Sequence, residues 1–99
     1  MHLEWSVFAR ADRKAIFDYI EVDSPRAAIS VDERIRTRVQ ILAQFPEMGR
    51  LGRVEGTREL IVSGTPYIAA YVIVGDAVRI LRVLHGAQQW PDDMPEDCE

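Results

Sequence analysis

Tyr67-Ile68-Ala69-Ala70-Tyr71-Val72-Ile73-Val74-Gly75-Asp76-Ala77-Val78-Arg79-Ile80-Leu81-Arg82-Val83-Leu84-His85 decides the fold. Its first eight residues are aromatic, β-branched or small, the composition of a central strand. Gly75-Asp76 fits a two-residue hairpin turn with glycine at the first central position. The return run then alternates, placing Arg79, Leu81, Val83 and His85 on one face and Val78, Ile80, Arg82 and Leu84 on the other. Working backwards, Ser63-Gly64-Thr65-Pro66 is turn material. Before it, Thr57 to Val62 alternates again, with Arg58, Leu60 and Val62 opposed to Glu59 and Ile61. Three consecutive antiparallel strands are therefore expected. The glycine-rich stretch Pro46–Gly56, which has no usable period, reads as the loop leading into them.

A sheet of this size needs something to cover it. Ser24-Pro25 is a helix start, because proline in the first turn costs no hydrogen bond. From there Ala28, Val31, Ile35, Val39 and Leu42 recur at helical spacing, with Asp32, Glu33, Arg34, Arg36 and Arg38 mostly off the stripe. This helix must end before Pro46. Upstream, Phe8 to about Val22 is a first helix capped by Ser6, its apolar face formed by Ala9, Ile16, Tyr19 and Ile20. Arg13 interrupts that face. His2-Leu3-Glu4-Trp5 alternates and suits a short first strand with Leu3 and Trp5 inward. The expected order is β-α-α-β-β-β, an α+β domain with a helical hairpin packed on a small antiparallel sheet. It occupies residues 1–91, and the proline-bearing segment 92–99 is expected to be disordered when free.

Charge separates the same two regions. Five of the 16 acidic residues lie in 92–99, so residues 1–91 hold 11 acidic against 12 basic side chains, a net of +1. A nearly neutral body argues against a general nucleic-acid binder. Eleven of the 12 basic residues are arginine, which suits forked contacts with carboxylates or phosphates but also follows from a GC-rich genome. Cys98 is the only cysteine, which excludes a disulfide framework and a thiolate zinc site. His2 and His85 are the only histidines, and the acidic tail lacks ligand spacing, so no metal and no cofactor are expected. No apolar run reaches the length needed to span a bilayer and no charged-then-apolar leader opens the chain, which points to the cytoplasm.

Four phrases in order resemble the RelE/ParE toxins of type II toxin–antitoxin systems. They are Phe45-Pro46-x-Met48-Gly49-Arg50, Gly56-Thr57-Arg58-Glu59-Leu60, Thr65-Pro66-Tyr67 with Tyr71, and Val83-Leu84-His85-Gly86-Ala87-Gln88-Gln89-Trp90-Pro91. The resemblance spans roughly residues 3–91. It implies a growth-arresting protein neutralised by a cognate antitoxin from the adjacent gene, in a hetero-oligomer that binds operator DNA through the antitoxin. It also implies one of two targets. ParE-type members block DNA gyrase without being enzymes, and RelE-type members cleave mRNA on the ribosome. Fold alone does not choose between them.

Cutting RNA requires a base for the 2′-hydroxyl, cations on the phosphate and an acid for the leaving oxygen. By resemblance, Arg58, Arg82 and His85 would be the catalytic set of a nuclease, with Arg50, Arg53 and Arg79 contacting target or antitoxin. Each has a plainer reading. Arg58 could pair with Glu55, Glu59 or a tail carboxylate, His85 could cap a carbonyl, and Arg50 and Arg53 could be solvated loop charges. Trp90 is expected to pack back on the sheet edge, and Tyr67 and Tyr71 to be sheet packing. Gly86 stands where nucleases carry an aromatic, and on a regular strand Arg82 and His85 point apart. With the near-neutral body, these departures favour the gyrase-type reading. A non-toxic binding relative, its basic patch covered by the acidic tail, is the third alternative.

Overall fold

The computed structural model describes residues 1–91, so the expectations for segment 92–99 lie outside the described residues. The elements are β1 (His2–Trp5), α1 (Val7–Glu21), α2 (Pro25–Gln40), a 3-10 turn (Ile41–Ala43), β2 (Arg50–Leu51), β3 (Arg58–Ile61), β4 (Tyr67–Val74) and β5 (Ala77–His85). They form one five-stranded sheet in the order β1-β5-β4-β3-β2. The helical hairpin packs on one face, and no helix lies on the other among the described residues.

Both helix starts are made as the sequence predicts. Ser6 Oγ accepts the Ala9 amide at 2.9 Å and Ser24 Oγ accepts the Ala27 amide at 3.1 Å, each satisfying a donor with no partner inside the helix. The α2 stripe is buried through Ala28, Ile35 and Val39. Leu42 completes it from the 3-10 turn, which tightens the chain ahead of Pro46. Ile35, Val39 and Leu42 meet Leu60, Val62, Tyr67, Ala69, Tyr71, Val78, Ile80 and Val83 in a single core, with Leu3, Trp5, Ile16 and Ile20 at its margin.

Four details differ from expectation. The sheet is mixed, because β1 runs parallel to β5. Strand direction follows from the parity of the intervening turns, which hydrophobic period does not report. The stretch 46–56 contains a two-residue strand, β2, whose Arg50 and Leu51 pair with Glu59 and Arg58. Two residues are too few to carry a periodic signal. Tyr19 is 78 % exposed although it was expected on the buried face of α1. It lies about 100° round the helix from Ile20, and Arg13 completes the stripe instead. The Arg13 guanidinium covers the Trp5 ring at 4.7 Å and grips Asp32 of α2 with two bonds of 3.0 and 2.9 Å. This fork and stack let a charged residue occupy a near-core position.

The fourth difference bears on the site. β4 and β5 pair Tyr71 with Ile80 but Ala70 with Arg82, so Leu81 is an extra residue and the strand bulges there. Strict alternation over 77–85 is therefore wrong. Val78, Ile80 and Val83 face the helices, whereas Arg79 and Arg82 fall out of phase with them. The bulge is tied to α1 by one buried side chain: Ser6 Oγ donates to Leu81 O at 2.7 Å while capping the helix.

Candidate functional site

Register sorts the candidate residues between the two faces. Arg50, Glu59, Ala70 and Arg82 stand in one cross-strand row on the face away from the helices. Glu4, Arg79 and Val72 form the next row of that face. Arg58 aligns with Tyr71 and His85 with Tyr67, both tyrosines being core residues on the helical side. Four of the six candidates thus share the open face, through Arg50, Arg53, Arg79 and Arg82. Arg58 and His85 lie on the other side, separated by about 13 Å along the strands and about 10 Å across them.

Glu59 organises the open face. Its side chain is only 2 % exposed and accepts Arg50 Nη2 at 3.0 Å, the Arg53 amide at 2.8 Å, Arg53 Nε at 3.1 Å and Arg53 Nη2 at 3.4 Å. Burial alone pushes this carboxyl up. The Arg53 side chain and amide, with Arg50, outweigh that and hold it below the ordinary carboxylate value. The same Arg53 guanidinium stacks on the Trp90 ring at 3.7 Å, and the Trp90 indole donates to His85 O at 3.2 Å. Segment 86–90 is thereby folded back over the open side of the sheet, where Gly86 sits against Ile68 and Pro66 O. Arg50 and Arg53 are paired through one carboxylate, and are more than solvated charges.

The other candidates are also engaged. Arg82 holds Asp12 of α1 through Nε at 2.7 Å and Nη2 at 2.9 Å, around the edge that β5 exposes beyond β1. Hydrogen bonding to Asp12 raises the Arg82 pKa, so its charge is permanent. Arg79 donates to Glu4 at 2.8 Å, and that bond, with one from His2, lowers the Glu4 carboxyl. Arg58 pairs with neither Glu55 nor Glu59. It donates to the carbonyls of Gly49 at 2.8 Å and Glu47 at 3.3 Å. His85 caps an amide, not a carbonyl: its Nδ1 accepts Ala87 N–H at 3.0 Å, with the ring edge-on to Tyr67. That bond assigns the proton of a neutral ring to Nε2.

Tyr71 has a more specific role than sheet packing. Its hydroxyl donates to Pro46 O at 2.7 Å and accepts the Gly49 amide at 2.9 Å, pinning the loop that presents Arg50. Burial is the main reason its pKa is raised. A Cβ on Gly49 would stand 2.6 Å from that hydroxyl and 2.9 Å from Glu59 O, which explains the glycine beside Arg50. The sequence did not point to the three anions that position these arginines, Glu59 for Arg50 and Arg53, Asp12 for Arg82 and Glu4 for Arg79. Glu59 had one signal: a carboxylate on a strand face otherwise expected to carry Ile61.

The arrangement offers a face with three arginines, Arg50, Arg53 and Arg79, partly neutralised and fixed in place, while Arg82 turns round the edge to Asp12. No cluster of His, Cys, Asp and Glu able to hold a metal is found among the described residues. Comparison with known proteins agrees with the fold. Residues 3–90 match the family described as ParE toxin of type II toxin-antitoxin system, parDE. Protein Y4kP of Sinorhizobium fredii, described as a candidate toxin, is 46 % identical over 89 residues, covering 90 % of this chain and 92 % of its own. Toxin RelE2 of Caulobacter vibrioides is 40 % identical over 84 residues, covering 85 % and 93 %. A solved chain of the chromosomal ParDE toxin–antitoxin system from P. aeruginosa superposes with a TM-score of 0.76 at 31 % identity, covering 84 % of this chain and 92 % of that one. The chain belongs to the ParE toxin family of type II toxin–antitoxin systems.

Proposed function

We propose that this toxin arrests growth by binding a protein target, DNA gyrase being the family precedent, and that it does not cleave RNA. The observation that carries the reading is the division of the nuclease candidates. Arg58 and Arg82 lie on opposite faces of the sheet, and His85 stands far from Arg58 on its own face. General acid–base chemistry on one phosphodiester needs its groups within hydrogen-bond reach of the same few atoms. Each of the three is also committed internally, to loop carbonyls, to Asp12 and to the Ala87 amide.

The open face suits protein recognition. Arg50, Arg53 and Arg79 present partly exposed guanidiniums already oriented by Glu59 and Glu4, so little side-chain freedom is lost on binding. We assign the target contact to this face. Neutralisation by a cognate antitoxin, and a cytoplasmic site of action, go with the same reading.

The test is pulse labelling of DNA and protein synthesis after induction of the chain without its antitoxin. DNA synthesis falling first, with an SOS response, supports gyrase. Arg58→Ala and His85→Ala should then remain toxic where the protein folds. The relative named Toxin RelE2 is the observation on the side of ribosome-dependent cleavage. Protein synthesis falling first, with new mRNA ends, would establish that reading instead.

A further inference from the structure

The sheet ends on an unfinished edge. β2 covers only Arg58 and Glu59 of β3, so among the described residues the chain from Leu60 onward has no strand neighbour on that side. The Val62 amide donates inward to Tyr67 O, so the peptide groups of Ile61 and Ser63 face outward. Such an edge is a template for another strand. Two arginines of α2 occupy it. Arg38 Nε donates to Ile61 O at 3.2 Å, and its Nη1 touches the Met48 sulfur at 3.8 Å. Arg34 Nη1 reaches Ser63 O at 3.5 Å. The turn makes room for this: Gly64 has φ +81°, and a Cβ there would collide with Arg34 Nη1.

We propose that the Ile61–Ser63 edge is fitted to a second copy of this chain and that Arg34 and Arg38 are the guards that keep two copies apart. An antiparallel pairing centred on Val62 sets Ile61 of one copy opposite Ser63 of the other. It is self-complementary, as a two-fold contact must be. It would also cover Ile61 and Met48, which are 47 % and 49 % exposed. The guards oppose it twice over. Each must leave a carbonyl, and the four guanidiniums of the two copies would then be crowded along one seam.

The opposite edge is closed differently. Beyond Ile80, β5 has no β1 partner, and there the Val83 amide is capped by Asp12 at 2.9 Å while Arg82 holds the same carboxylate by two bonds. That plug is partly buried and bidentate, whereas each β3 guard gives its backbone carbonyl one exposed bond, at 3.2 Å from Arg38 and 3.5 Å from Arg34. The weaker edge is therefore the one that opens when its charges are removed.

Sedimentation velocity across a wide concentration range tests this. The wild-type chain should sediment as a monomer throughout. Arg34→Ala/Arg38→Ala should shift to dimer mass as concentration rises, and Arg34→Lys/Arg38→Lys, which keeps the charge, should not. Adding Ile61→Pro to the alanine pair removes an outward amide and should restore the monomer. Arg38→Gln alone covers the case in which the double variant does not fold, and should show the shift in weaker form. A folded alanine pair that stays monomeric overturns the proposal. So does a dimer that survives Ile61→Pro, or a lysine pair that dimerises as readily as the alanine pair.

Discussion

Replacing Glu59 by glutamine keeps its size and removes its charge, and the cost follows from its surroundings. The carboxylate is shielded from water and accepts from two guanidiniums and one backbone amide. Breaking a fully buried ion pair costs about 3–5 kcal/mol, because the stranded partner stays buried. Here the partners can turn to solvent, since Arg50 and Arg53 are 54 % and 40 % exposed. We therefore expect Glu59→Gln to cost about 2–3 kcal/mol at neutral pH, between a lost charged hydrogen bond and a lost buried pair. Urea denaturation would read this as a midpoint lowered by roughly 1–2 M, for a slope typical of small domains. The pH dependence supplies an internal control. The folded-state pKa of Glu59 is depressed, so its contribution is complete above the unfolded value of 4.5 and is lost as pH falls through the folded one. The gap between wild type and variant should narrow below pH 4.5. A variant within about 0.5 kcal/mol of wild type, the range of ordinary surface substitutions, would refute the reasoning. So would a gap that does not change with pH.

Other sites carry similarly bounded expectations. Ser6→Ala removes a helix cap and the donor to Leu81 O together, and should cost about 2–3 kcal/mol by thermal or urea unfolding. Tyr71→Phe leaves the Gly49 amide and Pro46 carbonyl without their partner and should cost about 1–3 kcal/mol; hydrogen exchange should localise the loosening to residues 46–50. Gly49→Ala should destabilise by about 1–3 kcal/mol or more, because one of the atoms its Cβ meets is backbone. Arg53→Lys should change Trp90 fluorescence in a Trp5→Phe background despite conserving charge, since an ammonium cannot hold Glu59 by a fork and stack flat on an indole at once. Unchanged emission would show that the charge alone suffices.

Much of this was legible in the residues, and the illegible part has a common physical form. The hairpin at Gly75-Asp76, the start at Ser24-Pro25 and the α2 stripe are local signals, set by the conformational limits of a few adjacent residues. The resemblance carried by the four phrases led to the same family as the comparisons. What stayed hidden depends on residues distant in sequence. The Leu81 bulge answers to Ser6, 75 positions away, and Asp12 meets Arg82 at a separation of 70. One inserted residue exchanges the faces of everything beyond it, so the side occupied by Arg82 could not be read from alternation. The direction of β1 relative to β5 was invisible for the same reason.

The bias toward arginine can now be weighed against its plainer explanation. A GC-rich genome supplies arginine codons, but it does not require the fork that the residue provides. In this chain Arg13 grips Asp32, Arg82 grips Asp12 and Arg53 straddles Glu59 while stacking on Trp90, each with two side-chain nitrogens on one carboxylate. Lysine, a point charge on a flexible stem, would lose one bond at each of these places. Two of the three contacts, Arg13–Asp32 and Arg82–Asp12, tie helix to helix or helix to sheet across long sequence separations. A domain of this size has a modest core and benefits from directional ties that fix how its layers sit. The arginines of the open face are therefore structural: the fold itself sets their orientation through Glu59 and Glu4. A nuclease needs its cation, base and acid aimed at one phosphate, and here Arg58, Arg82 and His85 are divided between two faces and far apart. Guanidiniums held by buried or half-buried carboxylates suit a rigid protein-binding surface better.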